Sequence, residues 1–128
     1  MTGKSEKAIL NDSLVAVSAL PGTMAWRNNT GTAWQGEPVR AGIGTMIRVE
    51  AGMVILRQAR PISFGLPGSG DIMGVTFGRA WALEIKDQHG QQRDTQKKFQ
   101  AAFELAGGAY GLSRSVDFSR KLIEGLKP

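Results

Sequence analysis

The chain has 128 residues, 41% of them hydrophobic, a formal net charge of +5 and a pI of about 10.0. That length carries one domain with a real core, and the absence of cysteine excludes disulfides, thiol catalysis and thiolate zinc sites. No apolar stretch is long enough to span a bilayer, and the start Met1-Thr2-Gly3-Lys4 lacks a signal peptide's apolar region, so the expectation is a cytoplasmic protein with no membrane partner.

The elements follow in order. Ser5 is placed to cap a helix from Glu6, with Leu10, Leu14 and Val17 at helical spacing, Ile9 beside them, and Pro21-Gly22 as its stop. Thr23 to Arg27 reads as a strand with Met24 and Trp26 on one face, and Asn28-Asn29-Thr30-Gly31 as a turn. Beyond it, Met46–Glu50 and Met53–Arg57 read as a hairpin around Ala51-Gly52, and Pro61–Phe64 as another short strand. Gly65 to Gly70 is a loop. It leads into a second hairpin, Asp71–Phe77 and Ala80–Lys86, with Gly78-Arg79 as its two-residue turn. Asp94 is placed to cap a helix to about Ala106, with Phe99, Ala102 and Phe103 on one face, and Gly107-Gly108 stops it. Ala109–Ser113 is a strand, and Ser115 caps a last helix ending at Gly125. Both faces of the Asp71–Lys86 hairpin carry apolar side chains, which predicts a central sheet covered on both sides, an α/β fold.

Three charged residues stand out in that hairpin. With Phe77 opposite Ala80, Asp71 faces Lys86 and Glu84 faces Met73, so both acids and the ammonium share one face. A carboxylate in an apolar strand must be paired, hydrogen-bonded or metal-bound, and two carboxylates side by side raise each other's pKa. A divalent cation relieves that repulsion, and oxygen donors suit Mg²⁺ or Mn²⁺. The spacing alone leaves a second reading open: a structural Asp71–Lys86 pair, with Glu84 at an exposed strand end. A basic chain favours polyanions, nucleic acid first, and the basic residues are spread from Arg27 through Arg40 to Lys121 rather than gathered in a tail.

Other chemistries lack their residues. His89 is the only histidine and sits in a polar turn, which leaves no zinc site. Gly65–Gly70 lacks the Gly-Lys-Ser/Thr ending of a phosphate loop, and Gly42-Ile43-Gly44 lacks the third glycine of a dinucleotide fingerprint. Asn28-Asn29-Thr30 matches a glycosylation sequon by chance.

An acid opening one strand, Glu-x-Lys on the next, then a helix and a strand, resembles the PD-(D/E)xK nuclease superfamily. Gly68-Ser69-Gly70-Asp71-Ile72, Gly78-Arg79, Glu84-Ile85-Lys86, Gly90, Gln96, Phe99, Gly107-Gly108 and Arg114-Ser115 narrow it. Together with Glu6 and Arg27-Asn28-Asn29-Thr30-Gly31, they resemble the stand-alone, phage-type members of the VRR-NUC (virus-type replication-repair nuclease) family. Many relatives have proline where this chain has Gly70. The resemblance covers one nuclease domain over residues 1–128 and is silent on a variable insertion at about 32–62.

That resemblance implies a restriction-endonuclease-like αβββαβ core with a central mixed sheet flanked by helices. It implies a Mg²⁺- or Mn²⁺-dependent endonuclease acting on DNA in phage or prophage replication, repair or recombination inside a bacterial cell. Asp71, Glu84 and the Ile85 backbone carbonyl would hold the metal, joined by Glu6 from the first helix. Lys86 would orient the attacking water and offset transition-state charge, and Gln96 would hydrogen-bond water or phosphate. Arg27, Asn28, Asn29, Ser69, Lys97 and Lys98 are the expected nucleic-acid contacts. Some relatives act on branched DNA such as Holliday junctions, whose two-fold symmetry calls for a homodimer. The alternatives are a nucleic-acid-binding module that keeps the fold without cutting, and a structural or assembly protein.

Overall fold

The structure is a computed structural model that describes residues 3–39, 44 and 46–128; Arg40 and Gly42-Ile43 lie outside the described residues. The elements run α1 (Glu6–Ser18), β1 (Thr23–Arg27), β2 (Gly31–Pro38), β3 (Leu56–Phe64), β4 (Ile72–Thr76), β5 (Arg79–Ile85), α2 (Asp94–Leu105), β6 (Ala109–Ser113) and α3 (Val116–Glu124). Two compact units contain them: Met1–Thr30 with Gly65–Pro128, and Gly31–Phe64. No helix among the described residues is long and apolar enough to cross a membrane.

The larger unit is an α/β fold on a four-stranded mixed sheet, ordered β1-β4-β5-β6. β1, β4 and β5 are antiparallel neighbours, and β6 runs parallel to β5. Its order is αβββαβ with one closing helix, as the sequence predicts. Ile72, Trp81, Leu83, Ile85 and Ala109 turn to one face and form the core with Ile9 and Val17 of α1 and Ile123 of α3. On the other face Phe99 and Phe103 of α2 stack at 5.1 Å, and Phe99 meets Tyr110 of β6 at 6.1 Å.

Three local expectations need correction. The buried line of α1 is Ile9, Ser13 and Val17, with Leu10 and Leu14 at its margin. A serine sits there at little cost because Ser13 Oγ donates to Ser119 Oγ at 2.9 Å, which in turn bonds Ser113 Oγ at 2.6 Å. The hairpin turn is Phe77-Gly78, one residue earlier than expected. Both residues have positive φ, 46° and 82°, as a type I′ hairpin turn requires. Packing selects this register: Gly74 lies opposite Trp81, and a Cβ at Gly74 would come within 2.3 Å of the indole. Trp81 Nε1 also donates to Thr76 Oγ1 at 2.9 Å, so the fully buried indole has its partner. Finally, Asp94 is the first residue of α2 rather than its cap; Arg93 is the cap, and its N–H donates to Gln96 Oε1 at 2.8 Å.

The smaller unit is a two-stranded antiparallel sheet of β2 and β3. The expected Met46–Glu50/Met53–Arg57 hairpin does not form. Ala51-Gly52 is a turn, closed by Met53 N–H to Glu50 O at 3.1 Å, but no strand flanks it before Leu56. Arg57 pairs with Glu37 instead, and Pro61–Phe64 continues the same strand. A register shift between Gln35 and Glu37, with Gln58 at φ 48°, marks a β-bulge that hides the alternation of this strand pair.

Candidate active site

The corrected turn shifts the pairing but keeps the faces. Ile72 lies across from Leu83, so one further step along the ladder sets Asp71 across from Glu84 rather than from Lys86. Moving the pairing by an even number of residues leaves every side chain on its own face, so Asp71, Glu84 and Lys86 still share the side opposite the Ile72–Leu83–Ile85 core. They line a cleft of about 310 Å³ with Glu6, Ser69 and Gln96.

Each member is held. Asp71 Oδ2 accepts the Ile85 N–H at 2.8 Å. Glu84 is only 4% exposed, which removes the reading of it as an exposed strand-end acid. Its Oε1 accepts from Gln96 Nε2 at 2.6 Å and from Lys86 Nζ at 3.3 Å. The ion pair of the site is therefore Glu84–Lys86, not Asp71–Lys86. Burial raises the Asp71 carboxyl above its ordinary range, against the pull of the Ile85 N–H and the Lys86 ammonium. Glu84 is pushed up to about 7, first by burial and then by the neighbouring Asp71 carboxylate.

Two oxygens stay free. Among the described residues none donates a hydrogen bond to Asp71 Oδ1 or Glu84 Oε2, and no buried side-chain oxygen lacks a partner. Both atoms therefore reach the solvent of the cleft. Two acids that repel each other, each with one oxygen bare in a polar cleft, fit a hard divalent cation. Asp71, Glu84 and the Ile85 carbonyl are the residues that would hold it. Glu6 Oε1 accepts the Asp87 N–H at 3.4 Å, and among the described residues no three acidic, histidine or cysteine side chains are gathered as a metal cage. Glu6 thus borders the pair without closing a three-acid set.

The remaining expected residues fall into separate places. Gln96 has both ends of its amide committed, to Arg93 N–H and to Glu84, and so fixes the acid rather than facing solvent. Arg27 ends β1 within electrostatic reach of Asp71. Asn28 donates to Ser69 Oγ and to Gly70 O, both at 2.8 Å, and its backbone N–H reaches Asp71 O at 2.8 Å. Asn29 is exposed in the following loop, and Lys97 and Lys98 are exposed on the first turns of α2, off the cleft lining. Gly70, just before Asp71, has no room for a side chain: a Cβ there would meet Leu83 O at 2.6 Å.

Sequence reasoning missed Thr30, Arg93 and Thr95, which also line the cleft. Arg93 and Thr95 had a readable signal, their place beside Gln96 at the start of a helix, where backbone N–H groups favour anions. Gly68, which stands out in the sequence only within a motif, is where the acid loop touches α2: at φ 81°, a Cβ would lie 2.2 Å from Thr95 O. No family model, curated protein or solved structure matches this chain.

Proposed function

We propose that this chain is a divalent-cation-dependent endonuclease that hydrolyses DNA phosphodiester bonds. The observation that carries the reading is the pair Asp71 and Glu84. They lie across one hairpin end, each with one unpartnered oxygen facing a polar cleft, with Lys86 bonded to one of them. The motif resemblance to VRR-NUC nucleases and the net charge of +5 support it independently.

A Mg²⁺ or Mn²⁺ ion bound by the two carboxylates would supply Lewis acidity at the phosphodiester. The protein's own groups do the rest. Ile85 N–H and Gln96 fix the two carboxylates, so that they need no reorganisation on binding. Lys86, held at Glu84, presents a positive charge beside the acids, where it orients water and offsets the charge that develops on the phosphoryl oxygens. Arg27, Arg93 and the start of α2 supply positive potential for the flanking phosphates. Action on branched DNA, a homodimer with two sites, and work inside a phage-infected bacterial cell complete the proposal and rest on the family resemblance.

The test compares wild type with Asp71→Ala and Lys86→Ala on labelled single-stranded, duplex, flap and four-way-junction DNA, in Mg²⁺, Mn²⁺ or EDTA. The reading expects metal-dependent cutting, lost in both variants, with DNA binding retained. Cutting that survives EDTA overturns the mechanism, and equal cutting of every substrate removes the branched-DNA preference alone. A wild type that binds DNA and cuts none of them favours the non-cleaving binding module.

A further inference from the structure

Every N–H of Asn28 is spent on the segment that delivers Asp71. Its backbone N–H extends the β1–β4 ladder to Asp71 O, and its side-chain Nδ2 bridges Ser69 Oγ and Gly70 O. An amide NH₂ has two protons, and both are used. No N–H remains to meet a phosphate.

The orientation of this amide is forced. Gly70 O is an acceptor only, so the atom 2.8 Å from it must be the NH₂ nitrogen and not the amide oxygen. The same nitrogen lies 2.8 Å from Ser69 Oγ, which makes the serine oxygen the acceptor in that bond. The Ser69 proton therefore points away from Asn28. Ser69 Oγ has no other partner among the described residues, while its backbone N–H is closed onto Leu66 O at 3.0 Å. Ser69 lines the same cleft as Asp71, Glu84 and Lys86, so a hydroxyl donor of fixed polarity stands beside the acids.

We propose that Ser69 donates its hydroxyl proton to a non-bridging oxygen of the phosphate being cut, and that Asn28 is a positioning residue that sets the direction of that donor. Asn28 is thereby removed from the DNA-contact surface where its sequence context placed it. The proposal rests on the nuclease reading. It adds a neutral, directional donor beside the charged Asp71, Glu84 and Lys86, and such a donor acts most where negative charge develops.

Single-turnover cleavage and DNA affinity in EDTA, measured for Ser69→Ala, Ser69→Thr, Asn28→Asp, Asn28→Ala and the Ser69→Ala/Asn28→Asp double variant, test it. Ser69→Ala lowers the cleavage rate on the order of 10²-fold with DNA affinity unchanged, and Ser69→Thr, which keeps the hydroxyl, restores most of it. Asn28→Asp turns the Ser69 proton back onto the new carboxylate and reproduces the Ser69→Ala loss, and the double variant is no slower than Ser69→Ala alone. Asn28→Ala, which leaves the hydroxyl free to rotate, loses less than Asn28→Asp. Thermal unfolding confirms that each variant is folded.

Weakened DNA binding with a flatter salt dependence in the Asn28 variants would overturn the assignment, by making Asn28 a direct phosphate contact. So would a Ser69→Ala rate that returns to wild type at saturating Mg²⁺, which would leave Ser69 only shaping the loop. Wild type that cuts while Ser69→Ala cuts equally well sinks this proposal alone. Wild type that does not cut sinks the nuclease reading, and this assignment with it.

Discussion

Replacing Glu84 by glutamine isolates the electrostatic cost of the cleft. Glutamine has the shape of a protonated glutamate and keeps an oxygen for Gln96 and Lys86. The Glu84 carboxyl is raised from 4.5 to about 7, and that shift already includes the pull of Lys86. The folded protein therefore holds a proton on Glu84 that the unfolded chain has released between these two values. Stability from this group is fully present below about pH 4.5, falls as pH rises through about 7, and is level above that. The difference corresponds to about 3 kcal/mol. Glu84→Gln carries no such dependence. In metal-free urea unfolding followed by circular dichroism, it is close to wild type at about pH 4 and more stable by up to about 3 kcal/mol at about pH 8. Excess Mg²⁺ at pH 8 narrows the gap, because a ligand at a hundredfold its Kd stabilises the wild type by about 2.7 kcal/mol and the variant has lost a ligand. A variant less stable than wild type at pH 8, or a difference that does not change with pH, would refute the picture of two desolvated acids sharing one cleft.

Other outcomes follow from single contacts. Gln96→Ala removes the amide donor from Glu84 and shifts the acid limb of the pH–rate profile to higher pH by up to about one unit, since a lost donor disfavours the ionised form. Gly68→Ala forces a Cβ against Thr95 O at a positive φ. It costs about 2–4 kcal/mol in urea unfolding and lowers the cutting rate by moving the acid loop off α2. Ser119→Ala strips the partner from the buried Ser13 hydroxyl, while Ser113 Oγ keeps Ser115 O, and it costs about 1–3 kcal/mol, with cutting per folded molecule unchanged.

Local chemistry made most of the larger unit readable. Ser5 and Ser115 accept the N–H groups of Ala8 and Phe118, and Pro21-Gly22, Gly107-Gly108 and Gly125 stop the helices, so α1, α2, β6 and α3 fall within a residue or two of their sequence limits. The hairpin was readable, but its turn was not. A phenylalanine at positive φ is costly, and it is selected here by Trp81 lying over Gly74 and by Phe77 N–H bonding Gly22 O at 3.0 Å. The shared face of Asp71, Glu84 and Lys86 survived that error because alternation depends only on odd and even positions.

Long-range contacts stayed hidden. Asn28 reads locally as a turn residue, yet its partners lie 41 and 42 positions away, and no local pattern encodes them. β2 pairs with β3 across a long connection, and the bulge at Gly36–Gln58 breaks the period that would have revealed them. Gln96 appeared as a polar residue in a first helical turn, and only the packing of α2 against the sheet turns it onto Glu84.

The most direct test of the central claim is cleavage of labelled DNA by wild type and Lys86→Met, in Mg²⁺ and in EDTA, at matched DNA occupancy. Metal-dependent cutting by wild type, reduced at least about 10³-fold in the variant with binding intact, is the predicted result. Cutting by Lys86→Met at the wild-type rate, or cutting that ignores EDTA, would contradict an active site built from Asp71, Glu84 and Lys86.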